Sequence, residues 1–251
     1  MTFVALSLKE IGDLVRERRL LYFLFALSLI FSIVFSILIG FEDTAGPRTY
    51  MDVLFFAGPL FVAILAVVVA GDAVARERQD RTIHLLFTAP ATKNGYLGAL
   101  AMAHLVAFLA FSGMALLYAI LAGVMAGWVA VPITLSYLAL GLLPLFTTLS
   151  LVLVAMGARM ASGRAALVLS TFLVMALWAS NQNGPFGWLF AFLDWWPYVS
   201  SIHPFDINVS LLNDLRDAGV VDTPALVKLW SWVGVAAIGA WVSLRSLEVG
   251  R

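Results

Sequence analysis

The side chains most capable of chemistry in this 251-residue sequence lie inside long apolar runs, and few of them are grouped. His104 has Met102 and Met114 nearby, and imidazole with thioether ligands suits a soft ion such as Cu(I). Methionine also fills irregular gaps in packing, and a neutral imidazole bonded to a neighbouring helix accounts for His104 without a ligand. We therefore predict no metal site, and we keep His104 as a candidate functional polar residue.

Signatures of an enzyme are equally sparse. Ser112 followed by Gly113 is a candidate nucleophile, but the glycine usual before such a serine is absent and no later apolar run offers a partner histidine. A G-x-x-x-x-G-K-[ST] phosphate loop is absent, so this chain cannot hydrolyse ATP as P-loop enzymes do. The lack of cysteine excludes disulfides and thiolate chemistry. We predict that the chain is not an enzyme; an intramembrane hydrolase using Ser112 or His104 is the alternative.

The densest charge cluster has a different character. Residues 76–81 read R-E-R-Q-D-R, and the apolar side chains Ile83, Leu85, Leu86 and Phe87 follow before Pro90. A loop that only fixes topology would explain the arginines, but it would not explain the interleaved acids or the apolar residues. Apolar side chains beside charges are typical of a helix that docks on another protein.

The composition sets the environment in which these residues work. Hydrophobic residues make up 62% of the chain and charged residues 12%, and mean hydropathy is +0.98, far from the values of soluble domains. No Asp, Glu, Lys or Arg occurs from Asn94 to Ala158. The runs do not alternate polar with apolar residues as barrel strands do. We predict an all-α integral membrane protein with His104 inside the bilayer, and the net charge of zero gives no indication of nucleic-acid binding.

Charge asymmetry predicts the topology. Six apolar runs can span the membrane, and they divide the Lys and Arg residues into twelve on one side and three on the other. Positive residues are enriched in cytoplasmic loops, so we expect both termini in the cytoplasm. The N-terminus shows no cleavable signal peptide. The predicted spans are 20–41, 53–71, 96–126, 131–157, 161–180 and 225–244.

Two further segments are not expected to span, and the chain is predicted to form one domain over residues 1–251. Residues 2–19 place Val4, Leu8 and Val15 on one helical face, which favours a helix in the cytoplasmic interface; a frayed end of the first span is the alternative. The extracytoplasmic segment 181–224 is rich in aromatic residues, which predicts short helices that rest in or dip into the outer leaflet.

The order of residues in the charge cluster resembles a known family, the membrane-spanning subunits of ABC-2 type (type V) transporters. The family commonly shows an acidic residue and Arg, then Gly-Thr, two leucines and a Ser/Thr-Pro step between its second and third spans. Arg81 stands where Gly is usual, and Ala89 stands before the proline. The matching positions here are Glu77-Arg78, Thr82, Leu85-Leu86 and Pro90.

The resemblance implies a coupling helix over 77–90 that contacts a separate P-loop ATPase subunit. ATP and Mg would be held by that partner, and this chain would hold no cofactor. It also implies a homodimer of two six-span subunits in a prokaryotic inner membrane, surrounded by lipid. A second contact with the ATPase would involve the basic residues of the N-terminal helix, namely Lys9, Arg16, Arg18 and Arg19.

The function implied is ATP-driven export. The lack of a large outer domain favours an amphiphilic, lipid-like or hydrophobic compound as the substrate. The alternative is a membrane anchor or assembly scaffold, for example in metalloenzyme maturation or in a gliding-type machinery.

Overall fold

Because a lipid environment offers no partners to backbone N–H and C=O groups, chains of this composition satisfy them within helices. The computed structural model describes residues 3–40, 46–80, 92–126, 131–181, 184–187, 193, 196–217 and 220–246. Within these ranges the regular structure is entirely helical. The helices are α1 (Phe3–Arg16), α2 (Arg19–Gly40), α3 (Gly46–Ala70), α4 (Ala73–Gln79), α5 (Lys93–Ala126), α6 (Val131–Tyr137), α7 (Leu143–Gly157), α8 (Gly163–Ser180), α9 (Trp196–Ser200), α10 (Pro204–Asp217) and α11 (Thr223–Arg245).

Five stretches among the described residues are long and apolar enough to cross a membrane, which confirms the all-α membrane class. The first predicted span, 20–41, coincides with α2, but the apolar stretch found there, Arg19–Ile33, is shorter than the other five. The six-span count therefore stays a prediction. The five stretches are Ala57–Gln79, Lys93–Leu121, Val131–Gly157, Gly163–Ser180 and Thr223–Arg245.

The fourth predicted span contains an irregular turn. Residues Leu138–Leu142 form a π-helical turn that joins α6 to α7. Pro144 is the second residue after this turn. Proline lacks a backbone N–H, and in a regular helix its ring clashes with the carbonyl four residues earlier. The extra residue in the turn accommodates this conflict, and π turns of this kind are a known response to such interruptions.

The core of the bundle is formed by the second and fourth predicted spans. In the most apolar part of Ala57–Gln79, 72% of the residues are buried, and in that of Val131–Gly157, 67% are buried. The buried share is only 22% in Gly163–Ser180 and in Thr223–Arg245. The helices α3 and α7 are therefore surrounded by the others, and α8 and α11 present most of their apolar surface outward.

Helix α1 packs along α5 with an unusual orientation. The residues it buries are Leu6, Ser7 and Glu10, while Val4 and Leu8 are 63% and 64% exposed. The inward side of this amphipathic helix therefore carries polar groups beside one leucine, and several of its apolar side chains point away from the protein.

The segment between α8 and α11 contains the short helices α9 and α10. Helix α10 packs on α3, α6, α7 and α11, and it buries Phe205 and Leu211. Because α10 contacts four other helices, it is part of the bundle.

The contact between α3 and α8 depends on a glycine. Ser170 donates its hydroxyl to the carbonyl oxygen of Gly71 at 2.9 Å, where the chain leaves α3. A Cβ atom on Gly71 would lie 2.5 Å from the carbonyl oxygen of Val67, a backbone atom that cannot move aside independently.

We expect Gly71→Ala to lower the free energy of unfolding by about 1–3 kcal/mol, the usual cost of forcing atoms into a packed site. Thermal unfolding of the purified protein measures it. Gly113→Ala is the matched control, because a Cβ atom at Gly113 meets nothing within 4 Å and alanine favours helix. Equal effects of the two substitutions would contradict the predicted steric cause.

Candidate functional site

The charged segment identified in the sequence begins as a seven-residue helix, α4, directly after the bend that ends α3. Val74, Ala75 and Glu77 are buried, whereas Arg78 and Asp80 are exposed. The helix therefore has an inward face that packs on the bundle and an outward face that carries charge.

Glu77 connects this helix to two others. Its Oε1 accepts a hydrogen bond from Lys9 Nζ of α1 at 2.6 Å, and its Oε2 accepts one from the Tyr96 hydroxyl of α5 at 2.6 Å. Glu77 is 8% exposed and Tyr96 is fully buried, so both bonds are shielded from water. Hydrogen bonds to an ionised group are about twice as strong as neutral ones. We call Lys9, Glu77 and Tyr96 the Glu77 clamp.

Lys9 serves more than one carboxylate. Its ammonium group lies 2.6 Å from Glu77, 2.8 Å from Glu10 and 3.2 Å from Asp13. Burial opposes its charge, but the hydrogen bonds to Glu10 and Glu77 prevail and raise the pKa of Lys9 well above its ordinary value. The three carboxylates are close enough together to suggest a metal site, yet the ammonium group occupies the position between them that an ion would take.

A second set of ion pairs secures the bend before α4. Arg19 Nη1, at the start of α2, donates to both carboxylate oxygens of Asp72, at 3.0 and 2.9 Å. Asp72 is 6% exposed, so this pair balances a charge buried at the end of α3. Arg76 of α4 forms an ion pair with Glu17, which lies in the link between α1 and α2.

The opposite side of α4 contacts the turn between α7 and α8. Gln79 Oε1 accepts the backbone N–H of Gly163 at 2.9 Å, at the first residue of α8. Arg78 reaches the carbonyl oxygen of Ala158 at 3.4 Å. Helix α4 is therefore held by four other parts of the bundle: α1, α5, the link between α1 and α2, and the α7–α8 turn.

Only two of the predicted docking residues are among the residues that the structure describes. Glu77 lies inside the protein and Arg78 on its surface, while the remaining predicted positions, Thr82, Leu85, Leu86 and Pro90, lie outside the described residues.

The basic residues of the N-terminal region divide in the same way. Lys9 belongs to the Glu77 clamp, and Arg19 is bound to Asp72. Arg16 and Arg18 are exposed. Arg18 has a left-handed backbone (φ 58°), unusual for a residue other than glycine, which lets α2 begin directly after α1.

Three members of this site, Tyr96, Glu10 and Asp72, were not predicted from the sequence. The signal available was the presence of single acids beside apolar runs, because a carboxylate buried there needs a donor. A sequence alone does not say which donor supplies it.

The intramembrane candidates do not form a shared site. His104 is 4% exposed and makes a hydrogen bond with the backbone of Val69 on α3. Met102 is 41% exposed, and two residues along a helix correspond to a rotation of about 200°. His104 and Met102 therefore lie on opposite faces of α5. The hydroxyl of Ser112 is buried and makes no hydrogen bond within the described part of the chain.

A comparison with protein families agrees with this architecture. The family model described as ABC-2 family transporter protein matches residues 15–180. The chain belongs to this family. The match extends from the end of α1 to the end of α8, so it includes Asp72, Glu77 and Tyr96. No curated protein matches the sequence.

Membership makes the chain a multi-pass membrane component of a transporter. Subunits of this ABC-2 family are not themselves the ATPase, and the family implies a partnership with an ATPase subunit.

We expect Tyr96→Phe to destabilise the ABC-2 subunit by about 1–3 kcal/mol, because it removes a hydrogen bond donated to a buried carboxylate. Differential scanning of the purified protein gives the value. Tyr198→Phe is the matched control, since Tyr198 is 78% exposed and should tolerate the loss of its hydroxyl. A Tyr96→Phe protein as stable as the control would show that the hydroxyl is not needed.

Proposed function

We propose that this chain is the membrane-spanning subunit of an ATP-driven ABC-2 exporter, and that a separate P-loop ATPase docks on the segment from α4 to Pro90. The observation that carries the proposal is the two-sided character of α4. One face carries exposed charge, and the other is bonded through Glu77 to two helices distant in sequence.

Transmission of force requires a stiff attachment at the point where the partner pulls. A displacement of α4 would reach α1 through Lys9 and α5 through Tyr96. It would reach the α7–α8 turn through Gln79. Closure of the ATPase subunits around ATP and Mg would therefore move several helices together, which is how a loop outside the membrane can rearrange a pathway inside it.

The contacts of α1 and α4 favour different roles for their buried and exposed charged residues. Glu77 and Lys9 are engaged with each other and with buried groups, so their part is to hold α4 in position. Arg78 makes a long hydrogen bond to Ala158 but is exposed, so it and the exposed Asp80 are the groups of α4 and its end that a partner can reach. Arg16 and Arg18 are exposed for the second contact.

The orientation of α1 supports a place at the cytoplasmic membrane surface. Val4, Leu8 and Val15 are exposed on the face opposite the polar contacts, where lipid would cover them. The proposal also includes six spans with both termini in the cytoplasm and a homodimer of such subunits. The exported compound is proposed to be amphiphilic or hydrophobic.

The test is a pull-down of the tagged chain in mild detergent, with identification of co-purified proteins and an assay of ATP hydrolysis. We expect a P-loop ATPase with the wild type, and a loss of about tenfold or more with Arg78→Glu, because like charges juxtaposed at an interface cost several kcal/mol.

Lys228→Glu is the matched control. Lys228 is also exposed but lies on the side of the membrane predicted to face away from the cytoplasm, so its reversal should leave the recovered ATPase unchanged. Recovery of no ATPase with a folded wild-type chain would overturn the proposal. Equal recovery with Arg78→Glu and the control would remove Arg78 from the docking surface.

A further inference from the structure

Glu10 is a second buried carboxylate beside the Glu77 clamp, and neither the proposed docking nor the transmission of force uses it. It is 8% exposed, on the face of α1 that packs inward, and it shares the ammonium group of Lys9 with Glu77. Two carboxylates from different helices therefore compete for one cation at the junction of α1 and α4.

The charges around Glu10 can be followed element by element. On α1, Lys9 attracts its negative charge and Asp13 repels it. From α4, Glu77 repels it, while the nearby Arg76 is paired with Glu17.

The groups on the neighbouring helices are engaged elsewhere. From α5, the Tyr96 hydroxyl donates a hydrogen bond to Glu77, and the Lys93 ammonium group donates one to the carbonyl oxygen of Arg245. The charged group at the start of α2, Arg19, is bound to Asp72.

Three carboxylates therefore share one lysine, and two of them are buried. Burial and the negative charge of Glu77 outweigh the attraction of Lys9 and raise the pKa of Glu10 from 4.5 to about 7. The ammonium group lies within 3.2 Å of all three carboxylates, which leaves no room for a metal ion between them.

We propose that Glu10 is a proton-binding site through which cytoplasmic pH sets the strength of the contact between α1 and α4. With the proton bound, Lys9 is free to bind Glu77 and the clamp is tight. Without the proton, Glu10 repels Glu77 and competes for Lys9, and α4 is held less firmly. The inference rests on the proposed function, since it gives that coupling segment a means of regulation.

The direction of the effect follows from proton linkage. A carboxyl group whose pKa is higher in the packed state than in the free state favours packing when it is protonated. The stabilisation that Glu10 gives to the contact between α1 and α4 is fully present below about pH 4.5 and is lost as the pH rises through about 7. Over roughly pH 6 to pH 8 the protonated fraction of Glu10 falls from about nine-tenths to about one-tenth.

The test measures the distance between α1 and α4 by double electron–electron resonance. The chain has no cysteine, so spin labels at Gly12→Cys and Asp80→Cys are unique. Both positions are exposed, and a side chain at Gly12 meets nothing within 4 Å. The full chain in detergent, without any partner, is measured from about pH 5.5 to about pH 8.5.

We expect a narrow distance distribution in acid that broadens in base with a midpoint near neutrality. Glu10→Gln should keep the narrow distribution throughout, and Glu10→Met should do the same if glutamine perturbs folding. Asp13→Asn is the matched control; its carboxylate is 40% exposed, so the pH response should survive. An unchanging distribution in the wild type, or a full pH response in Glu10→Gln, would overturn the inference.

The two proposals can fail separately. The distance measurement needs no ATPase, so its failure leaves the docking proposal intact. A pull-down that recovers no ATPase leaves a pH-dependent contact between α1 and α4 in place as a property of the chain.

Discussion

A carboxylate buried at the end of a membrane span needs hydrogen-bond donors. The structure at this end of the protein depends on the hydrogen bonds that the Glu77 carboxylate accepts. Its two oxygens are bonded to residues 68 positions before it and 19 positions after it. An ionised carboxylate left without partners in an apolar setting is too costly to persist. The positions of α1, α4 and α5 are therefore linked, because movement of any one would break at least one of these two hydrogen bonds.

This constraint accounts for the orientation of α1. An amphipathic helix beside a soluble bundle would bury most of its apolar side, yet α1 turns Glu10 inward beside Leu6 and leaves Leu8 exposed. At the proposed place on the membrane surface both sides would be satisfied, since the inward polar groups meet the buried acid and the exposed apolar side chains would meet lipid. The same principle explains Asp72, whose burial is balanced by Arg19.

Long apolar runs were enough to predict the class of the fold and the approximate position of its helices. Residues 131–157, for example, were predicted to span and form α6, the π-helical turn and α7. The π turn itself was not predicted, because it depends on how the chain around Pro144 packs. The family was predicted from the order of residues between the second and third spans, and the match over residues 15–180 confirms it.

The interior of the candidate site was not predictable in the same way. The sequence indicated that Glu77 matters, but the inward direction of its side chain depends on where α4 begins and on the approach of Tyr96. Helical periodicity cannot show that Lys9 and Tyr96 converge on one carboxylate, because such contacts join distant parts of the chain. The roles of Thr82, Leu85, Leu86 and Pro90 stay predictions, since these residues lie outside the described ranges.

A double-mutant cycle on Lys9 and Glu77 tests the central claim most directly. The cycle compares ATP hydrolysis by the proposed complex of this chain with an ATPase subunit, for Lys9→Met, Glu77→Gln and the double variant. Lys9→Met leaves a buried charge without its cation, and Glu77→Gln removes that charge, so the account predicts a double variant less impaired than Lys9→Met alone. The coupling energy should be about 0.5–3 kcal/mol, as for residues in direct contact. A double variant whose loss equals the product of the two single losses would contradict the account.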